Sequence, residues 1–145
     1  MENFLNDKTL SKSRKTRIEI INILYQNELF EKTIDLDKLF VEEKELSNLA
    51  FKKIEKIANH YHFFVQTIQL FINQNWAWNR LSPVIRAILI LAAYELMEID
   101  QPKIVINEAI ELTKMYFDDE VHFKMVNAIL QNIYKYYLKN ELETK

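Results

Sequence analysis

The amino-acid sequence predicts an all-α protein, a single compact helical domain of six to seven helices. Gly is absent and Pro occurs only at Pro83 and Pro102, so the chain lacks the residues that strand corners and tight turns with positive φ normally require. Apolar residues instead recur at steps of three and four, which is the period of one helix face. A length of 145 residues suits one domain covering 1–145.

The first half of the chain contains three helical patterns. A first helix is expected at 11–29, where Arg14 continues the stripe of apolar residues on one face. A short helix is expected at 35–41. Between 46 and 71 the apolar residues keep helical spacing throughout, which predicts one long helix or two end to end.

The second half is divided by the two prolines. Pro83 suits the first turn of a helix, and the segment 84–97 that follows is apolar on almost every side, as expected for a helix surrounded by others. Pro102 separates it from a helix that carries 105–116. The acidic residues 118–120 then precede a last helix. Trp76 and Trp78, at the corner before Pro83, are expected to pack on the core.

The composition excludes several kinds of chemistry. Without Gly there is no Gly-rich phosphate loop, dinucleotide fingerprint or nucleophile elbow. Without Cys there are no disulfides, thiol nucleophiles or thiolate metal sites. His60 and His62 face different directions on a helix and His122 is remote, so no metal site and no cofactor are expected. Glu108 and Glu111 share a face, but no positioned base or metal joins them, so no catalytic residues are expected.

The sequence gives no sign of a membrane or secreted protein. The first fifteen residues are polar, and the longest apolar run has only eight residues, at 87–94. The absence of Cys fits a reducing compartment. A cytoplasmic location is therefore expected.

Charge is distributed unevenly along the chain. The net charge is −2, yet residues 8–17 carry Lys8, Lys12, Arg14, Lys15 and Arg17 and no acid. A basic arm at 1–17 on an acidic body favours polyanion binding. Because burying an unpaired Arg is costly, we expect the first helix to project its basic turns beyond the body or across its rim, where they can touch phosphates. The alternative is a frayed, solubilising tail.

Four blocks of the sequence carry a family resemblance. They are RKTRIEIINILYQNEL at 14–29, RLSPVIRAILILAAYEL at 80–96, INEAIELTKMY at 106–116 and, more faintly, KMVNAIL at 124–130. In this order and near this spacing they resemble the NusB family of bacterial transcription antitermination factors, over most of the chain. Ile85 and Ile90 depart from the family pattern. At the first position some members have an acidic residue that contacts NusE, a small-subunit ribosomal protein, and at the second position Arg is frequent.

The resemblance implies a non-enzymatic function. A NusB-like protein binds the boxA element of nascent ribosomal-operon RNA together with NusE, a small-subunit ribosomal protein, and the pair joins the Nus complex on RNA polymerase. Arg14, Lys15 and Arg17 match the family's arginine-rich RNA-binding motif, and Tyr25 matches a contact to NusE. The full set of predicted RNA-binding residues is Lys12, Arg14, Lys15, Arg17, Arg86, Lys124 and Asn127.

Structural roles compete with these functional ones. Tyr25 could pack the first helix against the core, and Asn127 could bond a neighbouring backbone group. For Asn107 and Glu108 we favour a structural role, because a carboxylate beside a helix start stabilises the exposed amides. Phosphate contacts carry no base information, so base preference is expected from Asn127, the surface around Met125 and NusE, with weak RNA binding by the chain alone.

Two other functions are compatible with the sequence. The chain could be a stand-alone RNA-binding partner related to the N-terminal helical domain of some ribosomal-RNA cytosine methyltransferases, acting beside a separate catalytic chain. It could also be a helical protein-interaction module whose arm only solubilises it. The sequence leaves a homodimer open.

Overall fold

The computed structural model describes residues 11–42, 46–73 and 75–144. Lys8 and the rest of the basic arm before residue 11 lie outside the described residues. Within them, all regular structure is helical, which confirms the predicted fold class. The elements are α1 (Lys12–Leu29), α2 (Leu36–Glu42), α3 (Asn48–Asn59), α4 (Tyr61–Leu70), a 3₁₀ turn (Trp78–Arg80), α5 (Pro83–Glu98), α6 (Pro102–Lys114) and α7 (Glu120–Thr144).

Side-chain caps explain where several helices begin. A Ser or Asp side chain accepts a hydrogen bond from the backbone amide three residues further on, which satisfies a donor that has no partner inside the helix. The bonds are Ser11 with Arg14 at 3.1 Å, Asp35 with Lys38 at 3.1 Å, Ser47 with Ala50 at 3.1 Å and Asp119 with His122 at 2.9 Å. Both prolines occupy the first turns of α5 and α6, where a missing N–H costs nothing.

Helix α5 lies at the centre of the molecule, as its sequence predicts. Every residue from Val84 to Leu96 is buried, and α1, α4, α6 and α7 pack around it. Trp76 and Trp78 pack against the edge of this core, as predicted. In the described residues no helix is long and apolar enough to cross a membrane.

The helices around α5 define two ends of the bundle. Arg17 near the start of α1 contacts Glu95 near the end of α5, whereas Glu28 at the end of α1 contacts Arg86 at the start of α5, so these helices are antiparallel. We call the end of the bundle at the start of α1 the proximal end, and the opposite end the distal end. The start of α7 lies at the distal end, because His122 stacks on Phe117 and meets the ring of Trp76.

The pattern at 46–71 resolves into two helices. The backbone of His60 leaves the helical region at φ −126° and ψ 24°, so α3 ends and α4 begins there. Helix α3 packs mainly on α1, whereas α4 packs mainly on α5 and also contacts α7. Different packing partners therefore require different helix directions, which apolar spacing alone does not reveal.

The turn after α1 carries backbone strain. Glu31 adopts φ 53°, and it is the single positive-φ residue in the described part of the chain. The amide of Lys32 donates to the carbonyl of Asn27 at 3.0 Å across this turn. Helices commonly end this way on Gly, which has no Cβ to oppose the left-handed conformation. This chain has no Gly, so a glutamate takes the position.

Replacing Glu31 with Gly should stabilise the protein. The substitution removes the Cβ clash, which stabilises the folded state, but Gly also raises the backbone entropy of the unfolded state, which offsets part of this effect. We expect the free energy of unfolding to rise by about 0.5–1 kcal/mol. Urea denaturation followed by circular dichroism measures the free energy of unfolding. The neighbouring Lys32→Gly substitution is the control and should not stabilise, because Lys32 lacks a positive φ. Equal effects of the two substitutions would show that Glu31 is not strained.

Candidate nucleic-acid interface

Arg14 is held by a carboxylate of another helix. Its Nε donates to Glu108 Oε2 at 3.0 Å and its Nη2 donates to Glu108 Oε1 at 2.7 Å. This two-pronged geometry is the strongest way in which Arg binds a carboxylate. The hydrogen bonding of Arg14 to the Glu108 carboxylate raises the pKa of Arg14. About a quarter of the Arg14 side chain (27%) is still exposed, so its guanidinium is paired but reachable from solvent.

Arg17 is buried more deeply in the same cluster. Its Nη2 lies 2.8 Å from Glu95 Oε2 and its Nε lies 2.9 Å from Glu95 Oε1, while its Nη1 is 3.9 Å from Glu108. Burial alone would lower the pKa of Arg17, but the hydrogen bonds and charge of Glu95 outweigh it and raise that pKa. The Glu95 side chain is only 2% exposed, so Arg17 supplies the countercharge that this buried carboxylate requires.

We expected the basic turns to lie beyond the body or across its rim. A position beyond the body is wrong for both arginines, and only Arg14 stays partly exposed. That expectation considered only an unpaired Arg, whereas Glu95 and Glu108 supply partners from distant parts of the sequence. Glu108 does have the structural role that we favoured, but not at a helix start: it lies in the middle of α6. Glu111, which shares a face of α6 with Glu108, is instead exposed beside Lys114.

These acidic partners were not predicted from the sequence, although the sequence contains a signal for them. Arg86 and Glu95 are charged residues inside the otherwise apolar segment 84–97. A charge on a helix that is buried on every side must be paired. The sequence therefore indicates ion pairs on α5, but it does not identify the residues that pair with Arg86 and Glu95.

The two lysines at the start of α1 differ from the arginines. Lys12 is exposed and Lys15 is half-buried, and neither has an ion-pair partner among the residues that the structure describes. Within the described part of the basic segment, these lysines are the cations that remain available to an external anion.

Lys124 and Asn127 lie on the first turns of α7, at the distal end. The Lys124 side chain is 80% exposed and its Nζ is 3.6 Å from an equally exposed Glu120, a pair that contributes little. Asn127 is exposed, and its Oδ1 accepts a long hydrogen bond of 3.4 Å from the side chain of Gln131. Both groups can therefore exchange their partners for a ligand.

Arg86 is used inside the fold. Its Nε donates to Glu28 Oε1 and its Nη2 to the Glu28 carbonyl, both at 3.0 Å. Its Nη1 donates to the carbonyls of Trp78 and Leu81. The residue is 8% exposed, so the structure places this predicted RNA-binding residue in a buried network that joins α1, the 3₁₀ turn and α5.

Tyr25 is partly buried, and it packs against the core from α1. The packing role that we considered for it is thus present, and the rest of the ring faces outward.

Arg14 and Glu28 stand at opposite ends of α1, about 20 Å apart along the helix axis. The structure therefore does not bring the proximal cations together with Lys124 and Asn127.

The histidines do not form a metal site. No group of three or more His, Asp or Glu residues that could hold a metal ion exists within the described ranges. His122 instead lies with its Nδ1 2.6 Å from Asp119 and its ring 4.0 Å from that of Phe117. These contacts fix the start of α7.

Comparisons with known proteins identify the family of this fold. The family model described as the NusB family matches residues 14–135. The chain belongs to the NusB family. The transcription antitermination proteins NusB of Staphylococcus aureus strains JH9 and Newman are each 31% identical to it over 129 residues, covering 84% of this chain and 98% of theirs. The solved structure of Thermotoga maritima NusB is 32% identical, with a TM-score of 0.72, covering 86% of this chain and 92% of that one.

Family membership establishes the general function. NusB proteins are non-enzymatic transcription antitermination factors, so this chain is a transcription antitermination protein and not an enzyme. The sequence-based identification of the family and its antitermination role are confirmed. The roles of the individual residues named above stay predictions.

Removing one partner of the buried Arg17–Glu95 pair should destabilise the protein strongly. Arg17→Met leaves Glu95 buried without a countercharge and should cost about 3 kcal/mol. The double variant Arg17→Met/Glu95→Leu should recover much of this loss, because no unpaired charge remains. Urea denaturation of the wild type, Arg17→Met, Glu95→Leu and the double variant completes the cycle.

The exposed pair on α6 provides the control for this cycle. Lys114→Met, alone or with Glu111→Leu, should change the unfolding free energy by less than about 1 kcal/mol. If Arg17→Met cost no more than Lys114→Met, the buried pair would not be what holds α1 on α5.

Proposed function

We propose that this chain binds the boxA element of ribosomal-operon RNA as a complex with NusE, and that the pair joins the Nus complex on RNA polymerase. The observation that carries the proposal is the family match over residues 14–135. The exposed cations at both ends of the bundle support it, because phosphate neutralisation by Lys and Arg supplies much of the affinity for nucleic acid.

The exposure and partners of each side chain support a division of the predicted roles within this proposal. Lys12 and Lys15 are the freely available cations of the basic motif, and Arg14 is available in part. Arg17 and Arg86 act in this proposal through the fold, because their guanidinium groups are committed to buried partners. Lys124 and Asn127 provide a second contact on α7, and Tyr25 is the proposed contact to NusE.

Fluorescence anisotropy tests the proposal directly. A labelled boxA RNA is titrated with the protein, with and without NusE, at several salt concentrations, beside a scrambled RNA of equal length. We expect weak binding by the protein alone and tighter, boxA-selective binding with NusE. Equal binding to both RNAs, or no gain from NusE, would contradict the proposal. Recovery of a ribosomal-RNA methyltransferase instead of NusE in a pull-down would support the alternative partner.

Removing the available lysines should flatten the salt dependence. For Lys12→Ala/Lys15→Ala we expect the slope of log K against log salt to become shallower by about one to one and a half, since each lost phosphate contact on single-stranded RNA accounts for about 0.7. Lys52→Ala/Lys139→Ala removes the same charge from exposed positions on α3 and α7 and should leave the slope nearly unchanged. If both double variants shifted the slope equally, net charge rather than a defined contact would explain the binding.

Glu108 should compete with RNA for Arg14. A phosphate can make the same two-pronged contact as the Glu108 carboxylate, so Glu108→Gln should release Arg14, raise RNA affinity about three- to ten-fold and steepen the salt slope by about 0.7. Arg17 stays paired with Glu95 in this variant, so the fold is retained.

The control for this effect is Glu111→Gln, one turn further along α6. It removes an identical charge, but its carboxylate pairs with Lys114 and not with Arg14. We expect an increase in RNA affinity well below that of Glu108→Gln. Anisotropy titrations of both variants measure the difference, and equal increases would show that Arg14 is not released to the RNA.

A further inference from the structure

A cavity of about 400 Å³ opens at the distal end of the bundle. The end of α1 and the turn after it form one wall, the corner between α3 and α4 forms another, and the 3₁₀ turn forms a third. Its volume lies within the range of small-ligand sites. The residues that matter for its chemistry are Asn27, Glu28, Tyr61, Trp78, Asn79 and Arg86.

The floor of the cavity is held by hydrogen bonds, and its two charged groups, Arg86 and Glu28, neutralise each other. Arg86 is fixed by hydrogen bonds to Glu28 and to the Trp78 and Leu81 carbonyls, and the hydroxyl of Tyr61 donates to the second Glu28 oxygen. Burial and the bond to Glu28 raise the pKa of Tyr61, so the phenol stays neutral at physiological pH. Because both charges are already neutralised, the cavity suits an uncharged ligand better than a phosphate.

The walls of the cavity combine aromatic rings with free amides. The Trp78 ring has the Arg86 guanidinium 5.8 Å from its centroid, and the ring of Tyr61 meets that of His62 edge to face. The side-chain amides of Asn27 and Asn79 have no hydrogen-bond partner among the described residues. A primary amide offers a donor and an acceptor together, which is what the edge of a nucleobase requires.

We propose that this cavity receives one unstacked nucleobase of the bound RNA, with the base against the Trp78 and Tyr61 rings and its edge on the amides of Asn27 and Asn79. This inference rests on the proposed function. Proteins that recognise single-stranded RNA splay bases out, stack them on aromatic rings and hydrogen-bond their edges. A base in the cavity supplies the sequence information that lysine–phosphate contacts lack.

The position of the cavity favours RNA over a protein segment as the occupant. The segment that carries Trp78 also carries Trp76, whose ring is 5.9 Å from that of His122 at the start of α7. Lys124 follows within one helical turn. The start of α7 and the cavity thus lie at the same, distal end of the bundle.

RNAs with single abasic sites test this placement. In the presence of NusE, boxA RNAs that lack one base at a time are titrated against the wild-type protein and Asn27→Ala/Asn79→Ala. We expect the double variant to bind intact RNA about ten-fold more weakly at an unchanged salt slope, because base contacts and not phosphate contacts are lost. One abasic position should weaken the wild type by a similar factor and the double variant hardly at all.

Asn75→Ala is the matched control, since Asn75 is an exposed amide in the segment before the 3₁₀ turn and does not line the cavity. It should bind intact RNA like the wild type. A Trp76→Phe protein, in which Trp78 is the sole tryptophan, gives a second readout: intact RNA should quench its fluorescence, and the critical abasic RNA should not. Thermal melting by circular dichroism confirms that each variant is folded.

The outcomes separate this inference from the proposed function. If Asn27→Ala/Asn79→Ala binds boxA RNA as tightly as the wild type, the base pocket is overturned while the RNA-binding function stands. If the double variant loses affinity for NusE but not for RNA, the cavity belongs to the protein partner and the inference is again overturned. If the wild type fails to bind boxA RNA, the proposed function fails and the inference fails with it.

Discussion

Buried arginine–glutamate pairs determine how the first helix is placed on the rest of the molecule. Arg17 meets Glu95 at the proximal end and Glu28 meets Arg86 at the distal end, so both ends of α1 are tied to α5. A single antiparallel register satisfies both pairs, and a shift of α1 by one turn would leave charges buried and unpaired, at a cost of several kcal/mol. The pairs therefore specify register, while the isoleucines of α1 provide most of the apolar burial.

This arrangement divides the basic residues into two kinds. Arginine suits buried contacts because its planar guanidinium can satisfy a carboxylate and several carbonyls at once, whereas lysine is a strongly hydrated point charge that stays at the surface. Arg17 and Arg86 follow the first pattern, and Lys12 and Lys124 follow the second. A match to an arginine-rich motif therefore does not by itself identify the side chains that touch RNA. Partners elsewhere in the chain decide which cations remain available.

The sequence predicted the helices well because their determinants are local. The apolar period, the Ser and Asp caps and the two prolines all act within a few residues, so the bounds of α1, α5 and α6 agree closely with expectation. Two helices between 46 and 71 were one of the two predicted alternatives, but the position of the break at His60 was not predicted, and neither were the partners of Arg14 and Arg17. These features depend on packing between distant segments. The cavity around Trp78 could not be predicted for the same reason: three separate stretches of the chain form its walls.

Under the proposed function, cations contact phosphates at both ends of the bundle, whereas base contacts arise only at the distal end. The proximal lysines contact phosphates, which carry no base information, and the distal end offers Asn127 and the amide-lined cavity. These ends are separated by the length of α1, about 20 Å between Arg14 and Glu28. An RNA of one or two nucleotides therefore cannot use both, and discrimination requires a strand long enough to span the helix. Because α1 is held in register at both ends, the spacing between the charge contacts and the base contacts is constant. The buried pairs thus affect RNA recognition without contacting RNA, because they fix the distance between the charge contacts and the base contacts.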